Sequence, residues 1–135
     1  MGTRACIGYM GERGKIAYVT CRFDGYLEHV GMLLAECYND IDKVVELLRG
    51  GDIESLRYDL QHTIFENPLN YEHPSDCDVK IADGVGDYLL NVEGDYKYLY
   101  DNGKWYVVDG LYDEDGITPI KRPILVAKAM EMGYW

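Results

Sequence analysis

From Cys21 to Tyr38 the chain runs from an extended apolar segment through an Asp24-Gly25 pair into an amphipathic helix. Val30, Leu33, Leu34, Cys37 and Tyr38 fall at i, i+3, i+4, i+7 and i+8, one unbroken apolar stripe at helical period. The stretch therefore demands a partner surface for the stripe and a sharp reversal ahead of it. Gly25 supplies the reversal, and Asp24 is expected to accept N–H bonds at the helix start. The pair is thus read as a structural turn and cap.

The partner surface is supplied on both sides. Residues 4–10 and 15–23 flank Gly11-Glu12-Arg13-Gly14, and the second run alternates cleanly. Ala17, Val19, Cys21 and Phe23 share one face; Ile16, Tyr18 and Thr20 share the other. A β-hairpin is predicted. After the helix, Asn39-Asp40 caps a second one with Ile41, Val44, Val45 and Leu48 on its apolar face and Gly50-Gly51 as its stop. Residues 52–56 read as one further helical turn, and residues 57–76 as a loop with one short element near 60–65.

Residues 78–82, 88–92, 96–100 and 104–109 read as short strands. Asn102-Gly103 between two aromatic runs is a strong hairpin signal. Pro123 opens a last helix that runs to Met132 and stops at Gly133. The predicted class is α+β: an N-terminal hairpin and helix pair packed with a largely antiparallel sheet and a C-terminal helix. The length of 135 residues suits a single domain over 1–135.

Charge divides that domain. Residues 1–50 carry six bases and seven acids, whereas residues 51–135 carry seven bases and 17 acids within a total net charge of −11. A near-neutral helical half is joined to an acidic, β-rich half with a net charge of −10. Direct binding to nucleic acid is disfavoured, because phosphate contacts need a basic face. No apolar run reaches the ~18 residues of a membrane span, so a protein of the cytoplasm is expected, with no membrane partner. Self-association stays open. Cys6, Cys21, Cys37 and Cys77 have no short pair spacing and are read as reduced, buried hydrophobes.

Catalytic signatures are sparse. Cys21 with His29 would make a nucleophile pair only if the two met in space. His73, Asp76 and Cys77 offer three ligand types in one loop without the spacing of a metal site. Aligning Gly116 of Asp113-Glu114-Asp115-Gly116 with a calcium loop puts Leu111 and Arg122 at ligand positions, so that reading fails. Gly84-Val85-Gly86 lacks a third glycine and is read as followed by Asp87 rather than by a helix, so it gives no dinucleotide site. The expectation is no enzyme, no cofactor and no metal.

Tyrosine is the unusual residue, at 13 against two phenylalanines. Tyr96, Tyr98 and Tyr100 share one strand parity, and Trp105 lies on the strand opposite. Two readings stand: a recognition face completed by Asp109, Asp113 and Asp115, or a sheet face covered by the last helix.

Met1-Gly2-Thr3-Arg4, Ile7-Gly8, Phe23-Asp24-Gly25-Tyr26, Val30-Gly31, Tyr38-Asn39-Asp40 and the Gly51-Asp52-Ile53, Ser55-Leu56 series resemble a set of small phage and prophage proteins. Those begin MGTRS, carry a W-D-G-Y-P block and continue through a helix pair to a G-D-I-S-S-L-like stretch. The resemblance covers residues 1–56, with an echo at Gly103-Lys104-Trp105-Tyr106-Val107. It departs at Ala5, Phe23 and Leu27, where the set has Ser, Trp and Pro. It implies a phage context, in which small, acidic, non-catalytic proteins are often inhibitors of host immunity. The expected function is a phage accessory protein that binds and inhibits, through its acidic, Tyr-rich surface, a host defence protein handling nucleic acid, by nucleic-acid mimicry of the anti-CRISPR or anti-restriction type. The alternatives are a sponge for a nucleotide immune signal, drawing on Arg4, Arg22 and Lys80, and a structural or interaction protein.

Overall fold

The computed structural model describes residues 3–67, 79–108 and 123–132. Its frame is a single sheet in the order β4-β3-β2-β1-β6-β7-β8, with β5 pairing with β2 as well, counted among the described residues. The predicted hairpin is β1 (Ala5–Met10) and β2 (Ile16–Cys21), antiparallel with Ile7 opposite Val19. Arg13 and Gly14 take positive φ in the connection between them.

The first helical segment begins with a wide turn over Leu27–Gly31, in which the Met32 N–H reaches back to the Leu27 carbonyl. It continues as α1 (Met32–Cys37). Leu27, Val30, Leu34 and Tyr38 are its fully buried side chains. The helix opens at Tyr26, and Asp24 gives it no cap. Asp24 instead adopts a left-handed backbone with φ of 57°, so it serves the reversal through conformation and not through its carboxylate.

In α2 (Ile41–Arg49) the Asp40 carboxylate does cap, accepting the Lys43 N–H at 2.9 Å, an interaction worth about 1 kcal/mol. Its buried face is Val44, Leu47 and Leu48. Ile41 and Val45, expected inside, are exposed: Val44, Leu47 and Leu48 centre the stripe away from them.

Residues 52–56 are not a helical turn. They form β3 (Ile53–Ser55), parallel to β2 at Cys21, because the Arg22 and Phe23 N–H groups donate to the Ile53 and Glu54 carbonyls. β4 (Ile64–Phe65) pairs with β3, and β5 (Lys80–Ala82) pairs with β2.

Residues 88–92 are not a strand either. Residues 88–91 belong to α3 (Val85–Asn91), whose Val85, Tyr88 and Leu89 have helical spacing and face the sheet, and Val92 follows its end and packs beside them. Asp87 steadies that helix by accepting from the Asp83 N–H and the Asn91 amide.

β6 (Tyr96–Asp101) and β7 (Lys104–Val108) form the predicted hairpin, with Asn102 and Gly103 both at positive φ. This is the geometry that Asn-Gly favours in a two-residue turn. β8 (Ile124–Leu125) precedes α4 (Val126–Met132). β1 and β6 run parallel, with Ile7 opposite Tyr98, and the other pairings except β2–β3 are antiparallel. The class is α+β, with strands of both halves joined in one sheet.

Each sheet face has its own core. One carries Ala5, Ile7, Val19, Cys21, Tyr98, Tyr100, Trp105 and Val107 against α1, α2 and α4. The other carries Cys6, Ile16, Ala82 and Leu99 against Tyr88 of α3. Among the described residues no helix is long and apolar enough to cross a membrane.

Candidate functional site

Strand alternation puts Tyr96, Tyr98 and Tyr100 on the face under the helices. Tyr98 is fully buried, Tyr100 and Trp105 are 5 % exposed, and Tyr96 is half-buried and stacked on Tyr98. The Tyr98 hydroxyl donates to the Gly25 carbonyl at 2.8 Å, and Trp105 Nε1 donates to the Tyr38 carbonyl at 2.7 Å. Tyr100 packs edge-on against Trp105. Their polar atoms are committed to main-chain partners, so Tyr98 and Trp105 are core residues and present no recognition face. Asp109, Asp113 and Asp115, expected to complete that face, lie outside the described residues.

The Cys21–His29 pair does not form. Cys21 Sγ donates to the Phe23 carbonyl, and burial pushes its thiol up to about 11. His29 Nε2 lies 3.2 Å from the Leu56 carbonyl, an acceptor only, so that nitrogen carries the proton. Each group is spent on backbone. His73, Asp76 and Cys77 lie outside the described residues, among which no three His, Cys, Asp or Glu side chains gather as metal ligands.

The feature with the geometry of a site is a cleft of about 580 Å³ on the α3 side of the sheet, where β1 and β6 begin and β2 ends. That size falls within the range of small-molecule sites. Its base comes from alternation across three strands. Arg4 precedes Ala5, Thr20 and Arg22 flank Cys21, and Lys97 lies opposite Cys6. Val92, Glu93, Gly94 and Asp95, between α3 and β6, form one wall, and Glu66 forms part of another.

Arg4 is held by its backbone. Its N–H donates to the Asp95 carboxylate at 3.0 Å, and its carbonyl accepts from the Asp95 and Tyr96 N–H groups. Its exposed guanidinium therefore projects from a fixed main chain. Arg22 is paired with Glu66 at 2.7 Å. Lys97 is 5 % exposed and donates to the Leu89 carbonyl at 2.6 Å, where the end of α3 favours a positive charge. Lys80, expected to join Arg4 and Arg22, pairs instead with Asp52, whose Oδ1 also accepts the Thr20 N–H.

Comparison with family models, curated proteins and solved structures returns no match.

The cleft can hold a compact polar ligand. Arg4, Arg22 and Lys97 line it together with Glu66, Glu93 and Asp95, so three bases balance three acids in a chain of net charge −11. No aromatic side chain is among its described lining residues, so the stacking platform that a nucleobase would use is not part of it. Sequence reasoning singled out Arg4 and Arg22 but missed Lys97, Glu93 and Asp95. The available signal was parity: Lys97 alternates with the tyrosines and so faces the opposite side.

Proposed function

We propose that this protein acts by binding rather than by catalysis, and that its ligand is a small molecule whose anionic group sits over Arg4, Arg22 and Lys97. The observation that carries the reading is Arg4, a guanidinium on a main chain clamped by Asp95 and facing the cleft without a side-chain partner among the described residues. A pre-positioned cation loses little conformational freedom when an anion arrives. The resemblance to small phage proteins supports a setting for such binding, the sequestration of an anionic signal on which a host defence depends.

Titration calorimetry of the full chain with inorganic phosphate, pyrophosphate and mononucleotides tests this. Saturable binding that Arg4→Gln weakens at least about tenfold is expected. Silence across that panel and across small carboxylates such as free amino acids would overturn the reading.

A second reading draws on the net charge of −10 over residues 51–135. It is a non-enzymatic inhibitor whose acidic surface engages a host protein that handles nucleic acid, by charge and without the buried Tyr98 and Trp105. Capture of such a protein that weakens steeply with added salt supports it; binding indifferent to salt sinks it.

A further inference from the structure

The cleft carries both signs of charge, and two of its charged groups stand unspent. Arg4 and Glu93 both line it, and both residues are exposed. Neither side chain makes an ion pair or hydrogen bond among the described residues, and the two do not pair with each other. The other charges are committed. Arg22 is tied to Glu66, Asp95 to the Arg4 N–H, and Lys97 to the Leu89 carbonyl.

Glu93 is also fixed from behind. Its carbonyl accepts from the buried Cys6 thiol at 3.1 Å, so the wall that bears it is anchored to β1. Arg4 is anchored to the same wall through Asp95. One cation and one carboxylate without a partner among the described residues thus belong to the lining of a common space, on backbone held in place.

We infer that the ligand is an amino-acid-like zwitterion, a free amino acid or short peptide. Its carboxylate meets Arg4 and its ammonium meets Glu93. This rests on the reading that an anionic group binds over the base of the cleft, and it adds the second handle. A bare polyanion would meet Arg4 but be repelled by Glu93 and Asp95, whereas a zwitterion satisfies both signs without displacing the Arg22–Glu66 pair. Charge-assisted hydrogen bonds at both ends give the discrimination.

The test uses the full chain and glycine, diglycine and triglycine, each also as its N-acetyl and C-terminal amide derivative, with inorganic phosphate alongside. Affinity is read by calorimetry or by chemical-shift titration. Expected is binding of at least one free zwitterion about tenfold or more tighter than either of its blocked forms. Glu93→Gln should erase the preference over the acetylated form alone, and Arg4→Gln the preference over the amide alone. Both residues are exposed and their side chains have no partner among the described residues, so the variants should melt with the parent chain. Phosphate or an acetylated peptide binding as tightly as the free zwitterion overturns this inference and leaves the anion reading standing. Silence with phosphate and every peptide overturns both.

Discussion

The Tyr98 hydroxyl and the Gly25 carbonyl meet at 2.8 Å across 73 residues of chain. The bond fastens the turn ahead of α1 to the strand from the acidic half that lies beside β1. Gly25 is held on its other side too, where its N–H donates to the Thr3 carbonyl at 2.8 Å. Removing the hydroxyl leaves a buried carbonyl with no donor. Tyr98→Phe should therefore cost about 1–3 kcal/mol in urea unfolding, and a change within error would show that the bond adds nothing net.

Gly25 has no room for a side chain. A Cβ there would lie 2.7 Å from the Ala5 Cβ and 2.8 Å from the Ala5 nitrogen, and the strand backbone cannot step aside. Gly25→Ala should lose about 3 kcal/mol or fail to fold. Asp24→Gly should stay within about 1 kcal/mol of the parent, because the position needs positive φ and gives the helix no cap. A large loss in Asp24→Gly would restore a role for the carboxylate.

The thiols should react in order of burial. Cys37 is half-buried, whereas Cys6 and Cys21 are enclosed and burial holds the Cys21 thiol near 11. Iodoacetamide at neutral pH should label Cys37 well before Cys6 or Cys21 in the native protein, and all three rapidly in guanidinium. Peptide mass mapping over time checks the order.

Alkali should unfold the protein early. Burial raises the Tyr88 and Tyr98 hydroxyls well above the ordinary tyrosine value, and it raises Cys21 as well. Above about pH 10 an unfolded chain releases tyrosine protons that the folded chain keeps, so stability falls as pH rises. The Cys21 thiol adds to the loss from about 9 toward about 11. Unfolding free energy should decline across this window, with late tyrosinate absorbance appearing together with loss of circular dichroism. Tyrosinate formation by all rings while the fold persists would refute the burial argument.

Local chemistry was readable where it acts locally. Asn102-Gly103 announced its hairpin, Asp40 its cap, and the alternation that pairs Val19 with Cys21 its sheet face. Parity also grouped Tyr96 with Tyr98 and Tyr100, but a shared face does not reveal which layer covers it. Residues 52–56 read as a helical turn, but the β2 backbone holds Ile53–Ser55 as a strand through a pairing that no neighbouring residue encodes. Tyr88 and Val92 hid a helix because a short apolar run fits either period. The cleft was the least legible feature. Arg4 and Lys97 share it only through the parallel pairing of β1 with β6, which no neighbouring residues encode.

That pairing also sets a timetable. During synthesis β1 and β2 can close their hairpin early, yet the other edge of β1 waits for β6, at a separation of 91 residues between Arg4 and Asp95. Until then the main-chain groups on that edge face no strand. The wall between α3 and β6 arrives in the same late step and brings Glu93 to Cys6. A nascent chain can thus own a hairpin and a helix pair while having no cleft, and ligand competence becomes a marker that the sheet has closed.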